Sequence, residues 1–398
     1  MKKFLTGNVF AQIIPLLMMP VLARLYSVEV FGEFALNLAV ISIASMFSTY
    51  RLEYSFFSEN EKSVDRVINY CLLILQFNTV MLFVVLSLFF ELIDVFFLVS
   101  SIVVFSFNNL MCVYLNRKDC LDEIVKIRIA TVSIVSIIQL SLSIFQINIS
   151  GAGIFIGWLL GYLLSSLYLL GKFRKSFCVI RVNKRVLTIV IARAKKTLAL
   201  SFSHGMNSFV IQIPSFVISH FYGNEALGFY SMAYKLIRVP TIFVGNSFGE
   251  LFRSEASKEF LEHKNFERTY KKYLKILSVL SVSGFSFIYL LHEHLVILVL
   301  GKEWFGSVVY VLSLYPLFII SFVSSPLSSS YIVVKKYSLD LKVQCVFFAG
   351  SLLSASLAFT IEVASQWVLI YSIVMACIYL GNVWCTYSLS RNNDEKFA

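Results

Sequence analysis

The sequence predicts an all-α integral membrane protein, with about twelve transmembrane helices in two repeated six-helix lobes around a central cavity. Composition is the first ground. The chain has 398 residues, 58% hydrophobic and 14% charged, with mean hydropathy +0.79. Soluble domains average about 25% charged residues, and only a polytopic membrane chain sustains this depletion over such a length. The second ground is a series of apolar runs long enough to cross a hydrocarbon core of about 30 Å. The third is an internal echo. Leu25–Phe34 (LYSVEVFGEF) aligns with Phe221–Tyr230 (FYGNEALGFY) at an offset of 196, close to half the chain. Tyr26, Glu29 and Gly32 recur as Tyr222, Glu225 and Gly228. Repeated halves with a site between them are a common transporter plan.

The first helix is expected over 5–26. It opens on two lysines like a signal peptide. Its run is long enough to span, no A-x-A site precedes Arg24, and it is one arm of the echo. Helices two to six are expected at 31–50, 67–90, 95–116, 129–147 and 153–171. Helices seven to twelve follow at 198–221, 227–251, 273–291, 308–334, 343–361 and 367–388. Glu91–Asp94, Asn148–Ala152, Gly223–Ala226 and Glu362–Gln366 read as minimal turns, and the alternate connections are longer and basic. Thirty of the 34 lysines and arginines fall in those basic connections and the termini. Arg24 and Lys302 lie on the opposite side, and Lys235 and Arg238 lie inside helix eight. Such asymmetry sets orientation, so both termini are expected in the cytoplasm. It also accounts for the net charge of +11 without nucleic acid.

The expected organisation is an N-terminal lobe over 1–171, a linker over 172–197, a C-terminal lobe over 198–388 and a tail over 389–398. Residues 172–196 hold nine basic residues and no acidic one. With the apolar stretch Val186–Ala192, this reads as an amphipathic segment lying on anionic lipid.

Polar residues form stripes within the apolar helices, at about 100° of turn per residue. Helix seven carries His204, Ser208, Gln212, Ser215 and Ser219 on one face, and helix two carries Glu33, Asn37, Ser48 and Arg51. Helix eight carries Ser231, Lys235, Arg238, Asn246 and Gly249. Helix one carries Asn8, Gln12 and Pro15, and the offset places Asn8 opposite His204. Small and polar residues also line ordinary helix contacts, but packing does not need a lysine and an arginine. Each costs about 2.5–3.5 kcal/mol at a helix centre on insertion scales. They therefore mark a hydrated cavity. Pro15, Pro20, Pro214 and Pro240 in the same helices are tolerated where a cavity or neighbour satisfies the backbone.

Other chemistry is not supported. The seven cysteines include no C-x-x-C pair. His292 and His294 are two residues apart, so they do not share a helix face. No G-x-x-x-x-G-K-[ST] phosphate loop occurs. No metal or cofactor is expected.

Four segments stand out as motifs: the first hairpin Asn8–Phe34, Arg51-Leu52-Glu53 after helix two, Asn116-Arg117 after helix four, and Leu300-Gly301-Lys302-Glu303-Trp304 before helix ten. They resemble, in that order, the first hairpin, the R-x-E, the N-R and the L-F-G-x-x-W of bacterial oligosaccharide flippases, the polysaccharide transporter branch of the MOP superfamily. Phe252 departs from the pattern, because many relatives carry proline there to bend helix eight. The resemblance covers nearly the whole chain. It implies a MATE-like fold in the bacterial inner membrane and alternating access between two lobes. The implied substrate is an undecaprenyl-diphosphate-linked oligosaccharide, such as an O-antigen repeat unit of lipopolysaccharide. It would move from the cytoplasmic to the periplasmic leaflet, with H+ or Na+ as candidate coupling ion and a polysaccharide polymerase and chain-length regulator as candidate partners. The residues expected to bind the diphosphate and sugar are Lys235, Arg238, Arg24, Arg51, His204, Gln212 and Asn37. No catalytic residue is expected. A MATE-type exporter of organic cations is the alternative, with Glu33 and Glu250 as acids, but the two cations would repel such a substrate. A membrane-embedded polymerase would want a large outer loop, and none is present. No acyltransferase H-x-x-x-x-D occurs either.

Overall fold

The computed structural model describes residues 2–58, 61–145, 153–177 and 184–391, and no strand occurs among them. The expected turn at Asn148–Ala152, linker residues 178–183 and tail residues 392–398 lie outside the described residues. Within a bilayer the helix satisfies every backbone group internally, and the apolar runs become helices accordingly. They are α1 (Lys2–Leu25), α2 (Val28–Phe47), α3 (Glu61–Leu86), α4 (Leu92–Arg117), α5 (Leu121–Ile144) and α6 (Gly153–Lys172). There follow α7 (Lys184–His263), α8 (Glu267–Val299), α9 (Ser307–Leu327), the short α10 (Ser330–Val333), α11 (Tyr337–Ser356) and α12 (Ala364–Ser390). Among the described residues nine helices are long and apolar enough to cross a membrane. The other three expected spans are α1 and the two limbs of α7. The chain divides into two compact units, Met1–Phe209 (lobe one) and Val210–Ala398 (lobe two).

Helix α7 holds a helical hairpin that breaks at a single residue, Gly223, with φ 87 and ψ 170. Only glycine takes that φ without strain. The first limb runs against α12: the Tyr371 hydroxyl donates to Val210 O and the Tyr222 hydroxyl to Ile361 O. The second limb runs with α9, because Tyr230 faces Tyr310, Tyr234 faces Phe318 and Gly249 sits on Pro326. Since α9 and α12 run the same way (Ser372 bonds Leu317 N, and Asn382 bonds Ser324), the limbs are antiparallel. The first hairpin breaks at the equivalent position, where Ser27 is extended (φ −67, ψ 160) and its hydroxyl accepts from Val30 N. The echoed tyrosines make the same bond. Tyr26 donates to Gln139 O on α5, and Tyr222 to Ile361 O just beyond α11, both at 2.8 Å.

From Lys184 the basic segment is continuous with helix seven, and Val190 is buried in the lobe-one core with Leu52, Phe56, Ile68 and Cys71, while Ile189 and Ile191 beside it are exposed. Thr197 also donates to Tyr50 O at 2.7 Å. The turn at 223–226 shrinks to one residue. At Phe252, where the family pattern has proline, the ring is fully buried against Phe266, Tyr270 and Tyr273, and the helix continues to His263. In the motif Leu300–Trp304, Gly301 takes φ 106 and Trp304 is buried edge-on to Phe229.

Candidate functional site

The second limb of α7 sets the depth of the site. Tyr234 packs on Phe318, with ring centroids 5.3 Å apart. Phe318 lies about 16 Å along α9, which is about 31 Å long at 1.5 Å per residue. Lys235 and Arg238 therefore sit near mid-span, three residues apart on one face. Both are exposed. The Arg238 guanidinium lies over the Tyr234 ring, 5.5 Å from its centroid, and within electrostatic reach of Tyr230 and Tyr379. Among the described residues no carboxylate pairs with Arg238. Stacking on a ring face stabilises the cation by about 0.5–2 kcal/mol and leaves its N–H fork free for an anion. Tyr230, Tyr234 and Arg238 follow at a spacing of four, so this stripe was legible in the sequence, although only the cation stood out. Ser231 on the same helix is buried instead, and Gly249 packs on Pro326. The side chains of Asn8, His204 and Asn246 lie outside the described residues.

Gln212 is half-buried on the first limb, Asn37 is half-buried on α2, and Arg24 is exposed in the last turn of α1. Glu33 and Glu250 are exposed. Arg51 is not a free cation at a helix end. It sits in a corner where Tyr50 and Arg51 both adopt left-handed backbone (φ 49 and 55), at a cost of about 1–3 kcal/mol each. Its Nη1 is 3.6 Å from Glu53, its Nη2 touches Met46 Sδ, and its plane faces Tyr54. Glu53 is buried and accepts from Thr49 Oγ1 at 2.6 Å. Arg51 Nε is buried with no acceptor among the described residues. The sequence motif showed the R-x-E pair but not the strained corner.

At the basic end of lobe one, Lys118 Nζ is 2.7 Å from Asp65, and Tyr114 donates to Asp65 at 2.6 Å. Partial burial opposes the Lys118 charge, yet these two partners carry its ammonium above the ordinary lysine value. His292 is bonded to Tyr289 O, and no metal-binding cluster occurs among the described residues.

A family profile described as "Polysaccharide biosynthesis protein" matches residues 21–309. The chain belongs to that family. Its fold is that of the MOP superfamily. The lipid II flippase MurJ in an inward closed conformation is similar with TM-score 0.74 and 14% identity, over 97% of this chain and 87% of that one. An inward-facing MATE multidrug resistance transporter of the MOP superfamily gives 0.63 and 14%, over 97% and 95%. A MOP superfamily transporter from Pyrococcus furiosus, whose binding pocket is described as reversed in polarity, gives 0.54 and 12%, over 98% and 92%. Among proteins of curated function, none matches the sequence. The Leu300–Trp304 elbow, the break of the first hairpin at Ser27 and the whole second hairpin lie in the matched family region.

Proposed function

We propose that this family member is a flippase. It moves an undecaprenyl-diphosphate-linked oligosaccharide, an O-antigen or related repeat unit, from the cytoplasmic to the periplasmic leaflet of a bacterial inner membrane by alternating access. Both termini would face the cytoplasm, and H+ or Na+ would be the candidate coupling ion. The observation that carries this reading is Arg238 at mid-span, stacked on Tyr234, with no carboxylate partner among the described residues. The internal repeat sharpens it. At the offset of 196, Lys235 and Arg238 correspond to Ala39 and Ser42 of α2. The same hairpin folds in lobe one without either cation, so the fold does not require them. A diphosphate bridging two mid-membrane cations offsets their burial cost, and arginine suits phosphate by its bidentate fork. The tyrosines supply faces and hydroxyls for sugar rings. An exporter of organic cations would meet repulsion at this position.

The test is Lys235→Gln and Arg238→Gln, singly and together, scored for protein in the membrane and in a leaflet-resolved transport assay with defined lipid-linked oligosaccharides. Normal membrane levels with transport reduced at least tenfold are expected, and Lys235→Arg should retain part of the activity. Full transport by the double variant would end the reading, and loss of the folded protein would assign both cations to structure.

A further inference from the structure

Helices α2 and α3 splay over α4 in lobe one and leave a crevice of about 280 Å³. It runs from Tyr50, Leu75 and Val103 to Ala44, Val85 and Val99. Leu75 to Val85 is ten residues, about 15 Å along α3. Four polar side chains line it, and each is already bonded within the protein. Asn78 Nδ2 donates to Ser48 O at 2.9 Å, and Tyr50 donates to Asn78 Oδ1 at 3.4 Å. Thr79 donates to Leu75 O and Ser48 to Ser45 O. The hydroxyl protons are all engaged, and the rest of the lining is apolar, so the crevice suits hydrocarbon rather than sugar. Beside it α3 presents Phe77, Val80, Met81 and Val84, between 54% and 67% exposed, at the spacing of one helix face. No part of the described chain covers that stripe, so the crevice opens toward lipid. At its basic end Tyr50 leads directly into Arg51, whose buried Nε has no acceptor among the described residues.

We infer that this crevice holds the near end of the substrate's polyprenyl chain while its diphosphate lies on the basic side, beside Arg51. The inference rests on the flippase reading and goes beyond it, because it gives the tail a protein site. Association within a bilayer draws no hydrophobic gain. Preference for the chain therefore comes from packing its methyl branches against Val99, Ile102 and Val103, and from the anion at its end.

The experiment uses the full chain in nanodiscs. Undecaprenyl diphosphate with a diazirine near the head end of its tail is irradiated, and labelled peptides are mapped. Labelling within 75–85 and 99–103 is expected. It should be competed by unlabelled undecaprenyl diphosphate and not by a phosphatidylglycerol probe. Binding is measured in parallel on Ala44→Phe, which narrows the crevice. A tenfold loss of affinity for undecaprenyl diphosphate is expected, with two-isoprene citronellyl diphosphate unaffected. If the long-chain probe binds but labels only elsewhere, or phosphatidylglycerol competes equally, the crevice proposal fails and the flippase reading stands. If no polyprenyl diphosphate binds at all, both fail. Should Ala44→Phe not fold, the labelling map alone decides.

Discussion

Lobe one joins α4 to α6 through Asn108, whereas lobe two joins α9 to α12 through Asn382. Asn108 donates to Ser166 Oγ at 2.6 Å and accepts from Ser165 at 2.8 Å. Asn382 donates to Ser324 and Ser328, both at 2.9 Å, and accepts from Tyr331 at 2.6 Å. At an offset of 216, Asn108 corresponds to Ser324 and Ser166 to Asn382. The asparagine and the serine have exchanged helices while the bond between them persists. The ends of the same helices keep this register. Asp119 and Lys335 both take left-handed backbone (φ 55 and 57), and Cys120 N bonds Leu115 O as Lys336 N bonds Tyr331 O. The repeat therefore preserves hydrogen-bonding roles more faithfully than residue identity. A polar side chain between membrane helices must find a partner, and either helix can supply it.

The helix pair next to this one differs between lobes in how closely it packs, and this gives the largest expected effect. In lobe one, a Cβ on Gly161 of α6 would lie 2.9 Å from Val135 Cα and 3.0 Å from its N. Backbone cannot yield locally, so α5 and α6 must part. In lobe two, a Cβ on Gly350 of α11 meets only the far end of Ile378, with its next neighbour at 3.7 Å. Gly161→Ala is expected to cost about 1–3 kcal/mol by overpacking. Gly350→Ala should be near neutral, since Ala is the better helix former by about 0.5–1 kcal/mol. Thermal unfolding of the detergent-purified variants ranks them. The opposite order would break the contrast between a backbone-tight pair and one cushioned by side chains.

The exchanged hubs give a middle-sized effect. Asn108→Ala and Asn382→Ala each strand serine or tyrosine hydroxyls in a buried contact, at about 1–2 kcal/mol. The informative variant is the swap, Asn108→Ser with Ser166→Asn, which gives lobe one the arrangement of lobe two. It should recover most of the loss seen for Asn108→Ala, read by the same unfolding midpoint. No recovery would show that the two hubs are not interchangeable.

The contrast also explains what the sequence displayed. The hairpin echo was visible because Tyr26 and Tyr222 kept both residue and role. The hubs were hidden twice over, by the exchanged residues and by the shift from 196 to 216. That shift falls between helices two and four: α8 starts 206 residues after α3, at Glu267 against Glu61, and with 33 residues against 26 it adds seven more. Lys235 and Arg238 stood out because charge in an apolar run is expensive. Their tyrosine neighbours did not, because aromatic residues are ordinary in such helices.

The smallest expected effect lies at the basic ends, where each lobe ties a carboxylate to a lysine and a tyrosine. Lobe one uses Asp65, Lys118 and Tyr114, and lobe two uses Glu255, Lys272 and Tyr273. There Lys272 Nζ is 2.8 Å from Glu255, and the Tyr273 hydroxyl donates to it at 3.0 Å. The bond from Lys272 holds the Glu255 carboxyl below its ordinary value. A carboxyl lowered on folding adds stability that is complete above its unfolded value and fades as pH falls through the folded one. The side chains are 43% and 54% exposed, so the pair contributes no more than about 1 kcal/mol. The difference in unfolding midpoint between the wild type and Glu255→Gln should be constant near neutral pH and shrink toward zero once the carboxylate range is crossed. It should also fall with added salt, as an exposed pair requires. A difference that widens on acidification would mean that Glu255 is protonated more readily in the fold than out of it, and the lobe-two trio would then not hold the end of α7 to α8 by charge.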